Sequence, residues 1–420
     1  FLIPSRMNPG KFYALPQSPQ IFKQLLMVSG YDQYFQLARC FRDEDLRANR
    51  TLEFTQIDIE ASFIEPEELF DIIERLFKAV FKAVRNEDLP TPFPRIPYDE
   101  AMLKYGSDKP DLRFDLEIQN VGDVFAEGCE FKVFNTVLQN NGVIRALCVP
   151  GGGDKYSNTQ LKPEGEINRH AQIYGAKGVA WFRVDAEGKL ESSISKFFSD
   201  DCQQRLIQRL GAKAGDLILI VADREKVAAT AMGQLRLKVA EDLNLIDATA
   251  FKLAWITEFP LVDWNDKENR WDPAHHPFTA PNPEDVSYLQ SDIGKVRARA
   301  YDLAMNGVEV GGGSIRIHRS DIQNQVFSAI GIGPEEAKDK FGFLLEALSF
   351  GAPPHGGIAF GIDRLLMLLL GCESNREVIP FPTNQSGVDL MSGAPTEVAE
   401  AQLTELFIAS TYVEEEEEAK

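Results

Sequence analysis

Arg42, Glu44, Gln56 and Asp58 are side chains whose type and spacing could do chemistry. They sit in two extended runs, 34–44 and 53–63, joined by a charged stretch, 45–52, that reads as the turn of a long hairpin. Strand alternation puts Thr55, Ile57, Ile59, Ala61 and Phe63 on one face and Phe54, Gln56, Asp58 and Glu60 on the other. In the first run Phe35, Leu37 and Phe41 oppose Gln36, Arg42 and Glu44. One face is greasy, and the other suits a ligand carrying an amine, a carboxylate and a phosphate. A half-buried sheet with a solvated polar face is the plainer alternative, although strands favour threonine and aromatics over such a run of charge.

Three further segments carry similar signals. Gln20 and Lys23 lie at i,i+3 on one helix face, and a lysine near a helix start runs against the dipole, which hints at a ligand anion. From Tyr301 to His318 the chain holds Asp302, Glu309, three consecutive glycines (311–313) and Arg316. The two acids are hard oxygen ligands of the kind magnesium takes when it bridges phosphates. Alternation places Glu309 and Arg316 on opposite faces, so a shared site requires a bulge between them, which the glycines permit. Finally, an apolar strand meets a helix at Gly361, with Asp363 in its first turn and Arg364 next, placed to meet a phosphate or stack on a base. The adjacent His275 and His276 diverge and lack a third metal ligand, so a hydrogen-bonding role fits better than zinc. There is no P-loop and no GxGxxG.

The elements that must position these residues follow from local pattern. Ser18 and Pro19 open a helix whose apolar face is Ile21, Leu25 and Val28 and which Gly30 ends. A longer helix runs over 65–85. Past Lys109-Pro110-Asp111 the character changes. Residues 113–247 mix short strands, glycine clusters and helices such as 193–210, with little that looks catalytic, and read as an inserted domain. Strand patterns resume over 253–259 and 309–318, followed by a helix over 338–350 and a strand-helix unit over 357–370. The expected class is α+β, an antiparallel sheet with helices interrupted by an insertion. A chain of 420 residues exceeds one ordinary core. Its five cysteines form no CxxC pair, which points to a reducing compartment. No apolar run approaches 18 residues, so no membrane span is expected. The first residues, Phe-Leu-Ile-Pro-Ser-Arg, read as the interior of a longer chain. The net charge of −20 argues against tight non-specific RNA binding while leaving room for a local basic surface.

Together these segments resemble class II aminoacyl-tRNA synthetases, specifically those of the bacterial aspartyl type. Phe41-Arg42-Asp43-Glu44 with Phe54-Thr55-Gln56-Ile57-Asp58 is similar to that family's motif 2, and 357–364 resembles motif 3. Gln17 to Gln20 and Glu309 to Arg316 resemble its aspartate-site signatures, and the middle region resembles the inserted GAD domain. The likeness runs from the start to about residue 411. Motif 1 and the N-terminal anticodon-binding domain have no counterpart, and Asn49, Thr51 and Leu52 depart from the usual loop.

The resemblance implies an ATP-dependent aspartate–tRNA ligase. It would make aspartyl-adenylate and pass the aspartyl group to tRNA-Asp, and in some members to tRNA-Asn. Aspartate would be held by Gln20, Lys23, Arg42, Asp58, His275 and Arg316, with Arg316 gripping the side-chain carboxylate and Asp58 the ammonium. ATP would meet Arg42, Asp43, Glu44, Glu309, Gly361, Ile362, Asp363 and Arg364, and Arg42 and Arg364 would be the catalytic pair. Asp302 and Glu309 would hold Mg2+. The implied organisation is a catalytic domain in two parts, 1–112 and 248–411, a GAD domain over 113–247 and an acidic tail over 412–420. A cytoplasmic homodimer is expected. The rivals are an asparaginyl-tRNA synthetase, a paralogue that makes a free amino acid, and a non-catalytic relative. The Lys23 and Arg316 pair favours an anionic side chain over an amide. The insertion counts against the paralogue, and the presence of Arg42, Glu309 and Arg364 counts against a decayed site.

Overall fold

The computed structural model describes residues 1–43 and 51–412. Glu44, the turn residues 45–50 with Asn49, and 413–420 of the acidic tail lie outside the described residues. The architecture is α+β and divides into two compact units. The first comprises 1–66, 315–324 and 333–420, and the second comprises 67–314 and 325–332.

In the first unit the strands Gln33–Phe41, Glu53–Ser62 and His355–Gly361 form an antiparallel array with the second in the middle. Phe35 stands opposite Ile59 and Leu37 opposite Ile57, while Gln36 faces Asp58 and Ala38 faces Gln56. The hairpin and its two-faced alternation are as the pattern predicts. The burial of those faces is not. Asp58 and Glu60 on the polar face are buried, whereas Phe35 is 77% and Leu37 65% exposed on the greasy one. The greasy face closes at the third strand, where Ile358 and Phe360 are buried opposite Ile59 and Ile57.

The helix Gln20–Val28 explains the inversion. Its buried residues are Lys23, Gln24 and Met27, not the predicted stripe of Ile21, Leu25 and Val28. Helix and strands therefore meet through polar side chains, because an ammonium and carboxylates that neutralise one another can be taken out of water together. Ser18 makes no cap; Pro19 is the N-cap residue and no side chain caps the helix. The strand His355–Gly361 runs directly into the helix Ile362–Leu370, with Gly361 as N-cap and Asp363 in the first turn, as expected.

In the second unit the helix Pro66–Arg85 buries Leu69, Phe70, Ile73, Phe77 and Phe81 along one stripe. Phe70 stacks on Trp255 at 4.1 Å, and Trp255 Nε1 donates to Glu74 at 3.1 Å. Strand Leu253–Thr257 pairs with Arg95–Pro97 in parallel and with Ala300–Met305 antiparallel. Ala300–Met305 then pairs with Val308–Ile315. A separate five-stranded sheet lies within 118–223, with Leu217–Asp223 at its centre. One of its faces packs on helix Glu225–Asp242 through Leu147, Leu219, Met232 and Leu235, and the other carries Phe125, Phe134, Phe182 and Phe198. Arg236, 1% exposed, donates from that helix to the carbonyls of Asp111 (2.9 Å), Phe114 (3.1 Å) and Leu116. The predicted 193–210 helix is interrupted: it begins at Asp200, where the Ser199 side chain caps it, after a short turn of 3-10 helix. A serine able to bond the backbone ahead of it resets the helix start.

Candidate active site

Of the predicted site residues, Gln20, Lys23, Asp58 and Arg316 converge in the first unit, with Glu60 and His355 among them. Lys23 Nζ lies 2.6 Å from Asp58 Oδ1 and 2.9 Å from Glu60 Oε2. Arg316 donates to Glu60 twice, Nε to Oε1 at 2.9 Å and Nη2 to Oε2 at 3.0 Å. All four charged groups are buried. Two cations and two anions at this spacing balance, which is what makes the burial tolerable.

The bidentate pair occupies one edge of the Arg316 guanidinium and fixes its plane. Burial alone would raise the Glu60 carboxyl, but Arg316 and then Lys23 outweigh it and hold the group down at about 2. Burial dominates at Asp58 and pushes its carboxyl up despite Lys23.

Glu60 is the central acid of the cluster, and sequence reasoning left it out of the site. Alternation had put it on the same face as Asp58, and that was the available signal. Gly357 stands opposite Glu60 across the strands, and a Cβ there would overlap Glu60 Oε2 and the Ile59 carbonyl. His355 is buried beside them. Its Nδ1 is 2.8 Å from the Pro353 carbonyl and its Nε2 3.3 Å from Gln24 Nε2.

The other end of the hairpin carries the residues predicted for the nucleotide. Arg42 follows the strand end, exposed, with its guanidinium 5.1 Å from the Phe54 ring centroid. The Thr55 N–H donates to Asp363 Oδ2 at 3.1 Å, which pins the first turn of helix Ile362–Leu370 to the middle hairpin strand. Since Gly361 pairs with Gln56 and Phe41 with Glu53, Arg42 and Arg364 belong to the same end of the array. Asp43 is exposed.

Asp302, Glu309 and His275 belong to the second unit. Leu303 pairs with Gly311 but Ala304 with Glu309, so one residue, Val310, is bulged out. The bulge expected between Glu309 and Arg316 is present. It puts Glu309 on the face of Gly312, where a Cβ would overlap Asp302 Oδ1 and stand 3.7 Å from Glu309 Oε1. Two carboxylates thus converge over a bare backbone. Burial, and then the charge of Glu309, raises the Asp302 carboxyl well above its ordinary range. Among the described residues no group of three or more His, Cys, Asp or Glu is placed to hold a metal. His275 packs edge-on against Phe259 at 4.7 Å, while the His276 ring turns to Phe278, so the two diverge as expected. The five cysteines are unpaired, and no helix among the described residues is long and apolar enough to cross a membrane.

The family described as tRNA synthetases class II (D, K and N) matches residues 1–385. A protein of Desulfatibacillum aliphaticivorans named aspartate–tRNA(Asp/Asn) ligase is 52% identical over 408 residues, 97% of this chain and 68% of the relative. One of the same name from Moorella thermoacetica is 53% identical over 411 residues, 98% of this chain and 68% of the relative. A Lysinibacillus sphaericus protein named aspartate–tRNA ligase is 50% identical over 409 residues, 97% of this chain and 69% of the relative. With these likenesses over nearly its whole length, the chain belongs to the class II tRNA synthetases of the D, K and N family.

Proposed function

We propose that the chain activates L-aspartate with ATP and transfers the aspartyl group to the 3′ end of tRNA-Asp. The observation that carries this reading is the buried set of Lys23, Asp58, Glu60 and Arg316, which offers partners of both signs to one small zwitterion. Asp58 and Gln20 take the α-ammonium. The side-chain carboxylate meets Lys23 and Arg316, and His275 is a further aspartate contact in this reading. An α-carboxylate oxygen attacks the ATP α-phosphorus; the carboxylate oxygen–phosphorus bond forms as the bond from that phosphorus to the α,β-bridging oxygen breaks, and pyrophosphate leaves with that oxygen. Arg42 and Arg364 offset the charge that builds on the phosphate oxygens, while Asp43, Glu44, Gly361, Ile362 and Asp363 border the nucleotide. No protein nucleophile is needed, so catalysis rests on positioning and electrostatics. Aspartate is preferred over asparagine because a carboxylate accepts charge-assisted hydrogen bonds from both Lys23 and Arg316, whereas an amide turns a donor toward one of them.

The Asp302–Glu309 pair fits a divalent cation. Two hard oxygens converge, and a dication would offset both the burial that raises Asp302 and the repulsion from Glu309. Mg2+ held there would supply charge neutralisation on the phosphates. The 113–247 segment is read as the GAD insertion, supported by a sheet and core clusters of its own, between catalytic parts 1–112 and 248–411. A cytoplasmic homodimer is the expected form of the enzyme; fractionation and sedimentation check the two parts of that statement.

The deciding experiment is ATP–pyrophosphate exchange with aspartate and with asparagine, each with and without Mg2+. Exchange that needs aspartate and Mg2+ is the expected result. Exchange with asparagine alone would overturn the reading. Charging of tRNA-Asp and tRNA-Asn transcripts then decides the breadth of tRNA choice, on which the names of the relatives differ.

A further inference from the structure

A line of hydrogen bonds runs from the backbone to Gln20 beneath the ion-pair cluster. His355 Nδ1 sits 2.8 Å from the Pro353 carbonyl oxygen. A carbonyl oxygen can only accept, so Nδ1 carries the proton. In the neutral ring Nε2 is then an acceptor, and the atom 3.3 Å away on Gln24 must be the amide nitrogen. That turns Gln24 Oε1 toward Gln20, whose Nε2 donates to it at 3.0 Å. One backbone carbonyl thus dictates the orientation of two side-chain amides in succession. The outcome is that Gln20 spends its amide N–H group on Gln24 and keeps its Oε1 as the end turned away from Gln24.

We propose that His355 is a positioning residue for aspartate: in its neutral form it sets the amide of Gln24 and, through it, that of Gln20, so that Gln20 presents an acceptor oxygen to the substrate ammonium. The inference rests on the aspartate-activating reading of the same site. Protonation of His355 would turn Nε2 into a donor. Gln24 would then have to rotate its amide and offer Oε1 to the ring and N–H to Gln20. Gln20 would answer with Oε1 and be left facing an ammonium with N–H groups. Donor against donor is a mismatch, and affinity for aspartate falls.

The surroundings favour the neutral ring. Burial lowers the His355 imidazole, and Arg316 and His318 act in the same direction, while the Pro353 hydrogen bond and the charge of Glu60 act against them. The charged groups around the ring are Glu60 from the strand Glu53–Ser62, Arg316 and His318 from the 315–324 stretch, and, within the same cluster, Lys23 from the helix Gln20–Val28 and Asp58. The switch therefore lies below the ordinary imidazole range, and the enzyme at neutral pH holds the binding-competent arrangement.

The test measures aspartate KM, ATP KM and kcat by pyrophosphate exchange from neutral to acid pH in wild type, His355→Gln, His355→Phe and Gln24→Met. Gln at 355 keeps an acceptor that does not titrate, whereas Phe and the Met at 24 cut the line. Losing one hydrogen bond to a charged group corresponds to about a tenfold or larger rise in KM. The expectation is that rise in aspartate KM for His355→Phe and Gln24→Met at neutral pH, with ATP KM unchanged. His355→Gln should match wild type at neutral pH and lack its rise at acid pH. Nitrogen NMR of the wild-type ring supplies a readout apart from activity, and a protonated Nε2 at neutral pH would overturn the proposal. So would an unchanged aspartate KM in His355→Phe and Gln24→Met, or an acid rise that persists in His355→Gln, which would assign the titration to Asp58. A protein with no aspartate exchange under any condition would instead refute the proposed function and leave the NMR arm to judge the relay.

Discussion

At the scale of single residues, the cluster works because each charge is held by another. Arg316→Leu should abolish aspartate-dependent exchange. It also strands Glu60 beside Lys23 alone, and breaking a buried pair in this way costs about 3–5 kcal/mol, so loss of activity in that variant would be confounded by loss of stability. Glu60→Leu combined with Arg316→Leu removes both charges together. The double variant should unfold near the wild-type midpoint in urea yet show no exchange, and full exchange in it would sink the specificity argument. The same pair makes a pH statement. Glu60 is held down at about 2, below its ordinary value of 4.5, so its contribution to stability is present above the ordinary value and disappears as pH falls through about 2. Lys23, Asp58 and Arg316 were legible in the sequence because charge on one face of a strand or helix start is unusual enough to notice. Glu60 was passed over because an acid on a polar strand face looks solvated until something is seen to bury it, and the burying helix is remote in sequence.

At the scale of elements, type and order were readable: the hairpin, the 66–85 helix and the strand that feeds the Ile362–Leu370 helix all stand within a few residues of their patterns. What failed was the assignment of inside and outside. Periodicity says which residues share a face, not which face the rest of the chain covers, so the apolar faces that carry Ile21 and Leu25, and Phe35 and Leu37, are not the most buried ones of their elements. The bulge at Val310 was inferred as a condition and not as an observation, since no residue type demands one there. The strand His355–Gly361 supplies the prediction at this scale. Gly357→Ala puts a methyl into the Glu60 carboxylate and the Ile59 carbonyl, and the backbone on that side cannot retreat. The variant should lose at least about 1–3 kcal/mol, as overpacked cores do, and raise aspartate KM, whereas Gly361→Ala should be far milder because its added carbon would stand 4.0 Å from the Arg364 side chain. Equal losses in the two variants, followed by thermal melts and exchange, would show that the carboxylate platform does not depend on the close approach.

At the scale of the whole molecule, bulk numbers were the least informative. An excess of 64 acidic over 44 basic residues says little about an enzyme proposed to handle RNA, because only local potential meets the phosphates. More telling is the apolar face left open at the first hairpin strand. Phe35 and Leu37 would be covered in the proposed homodimer, and Phe35→Glu with Leu37→Glu should shift sedimentation toward monomer, while an unchanged boundary would move the interface elsewhere. Arg236 leads to a different consequence. A junction between a domain and its insertion is ordinarily where a chain can be cut, since few bonds cross it. At the proposed boundary near residue 112 one buried guanidinium holds three carbonyls of residues 111–116, and Arg113 is itself clasped by Asp111 at 2.6 Å. The peptide at this crossing cannot lift into a protease cleft without first undoing those bonds. Brief digestion with trypsin should therefore cut after Lys267 or Arg270, in an exposed turn, before it cuts after Arg113, and mass spectra of the first fragments would read as though the boundary were not there.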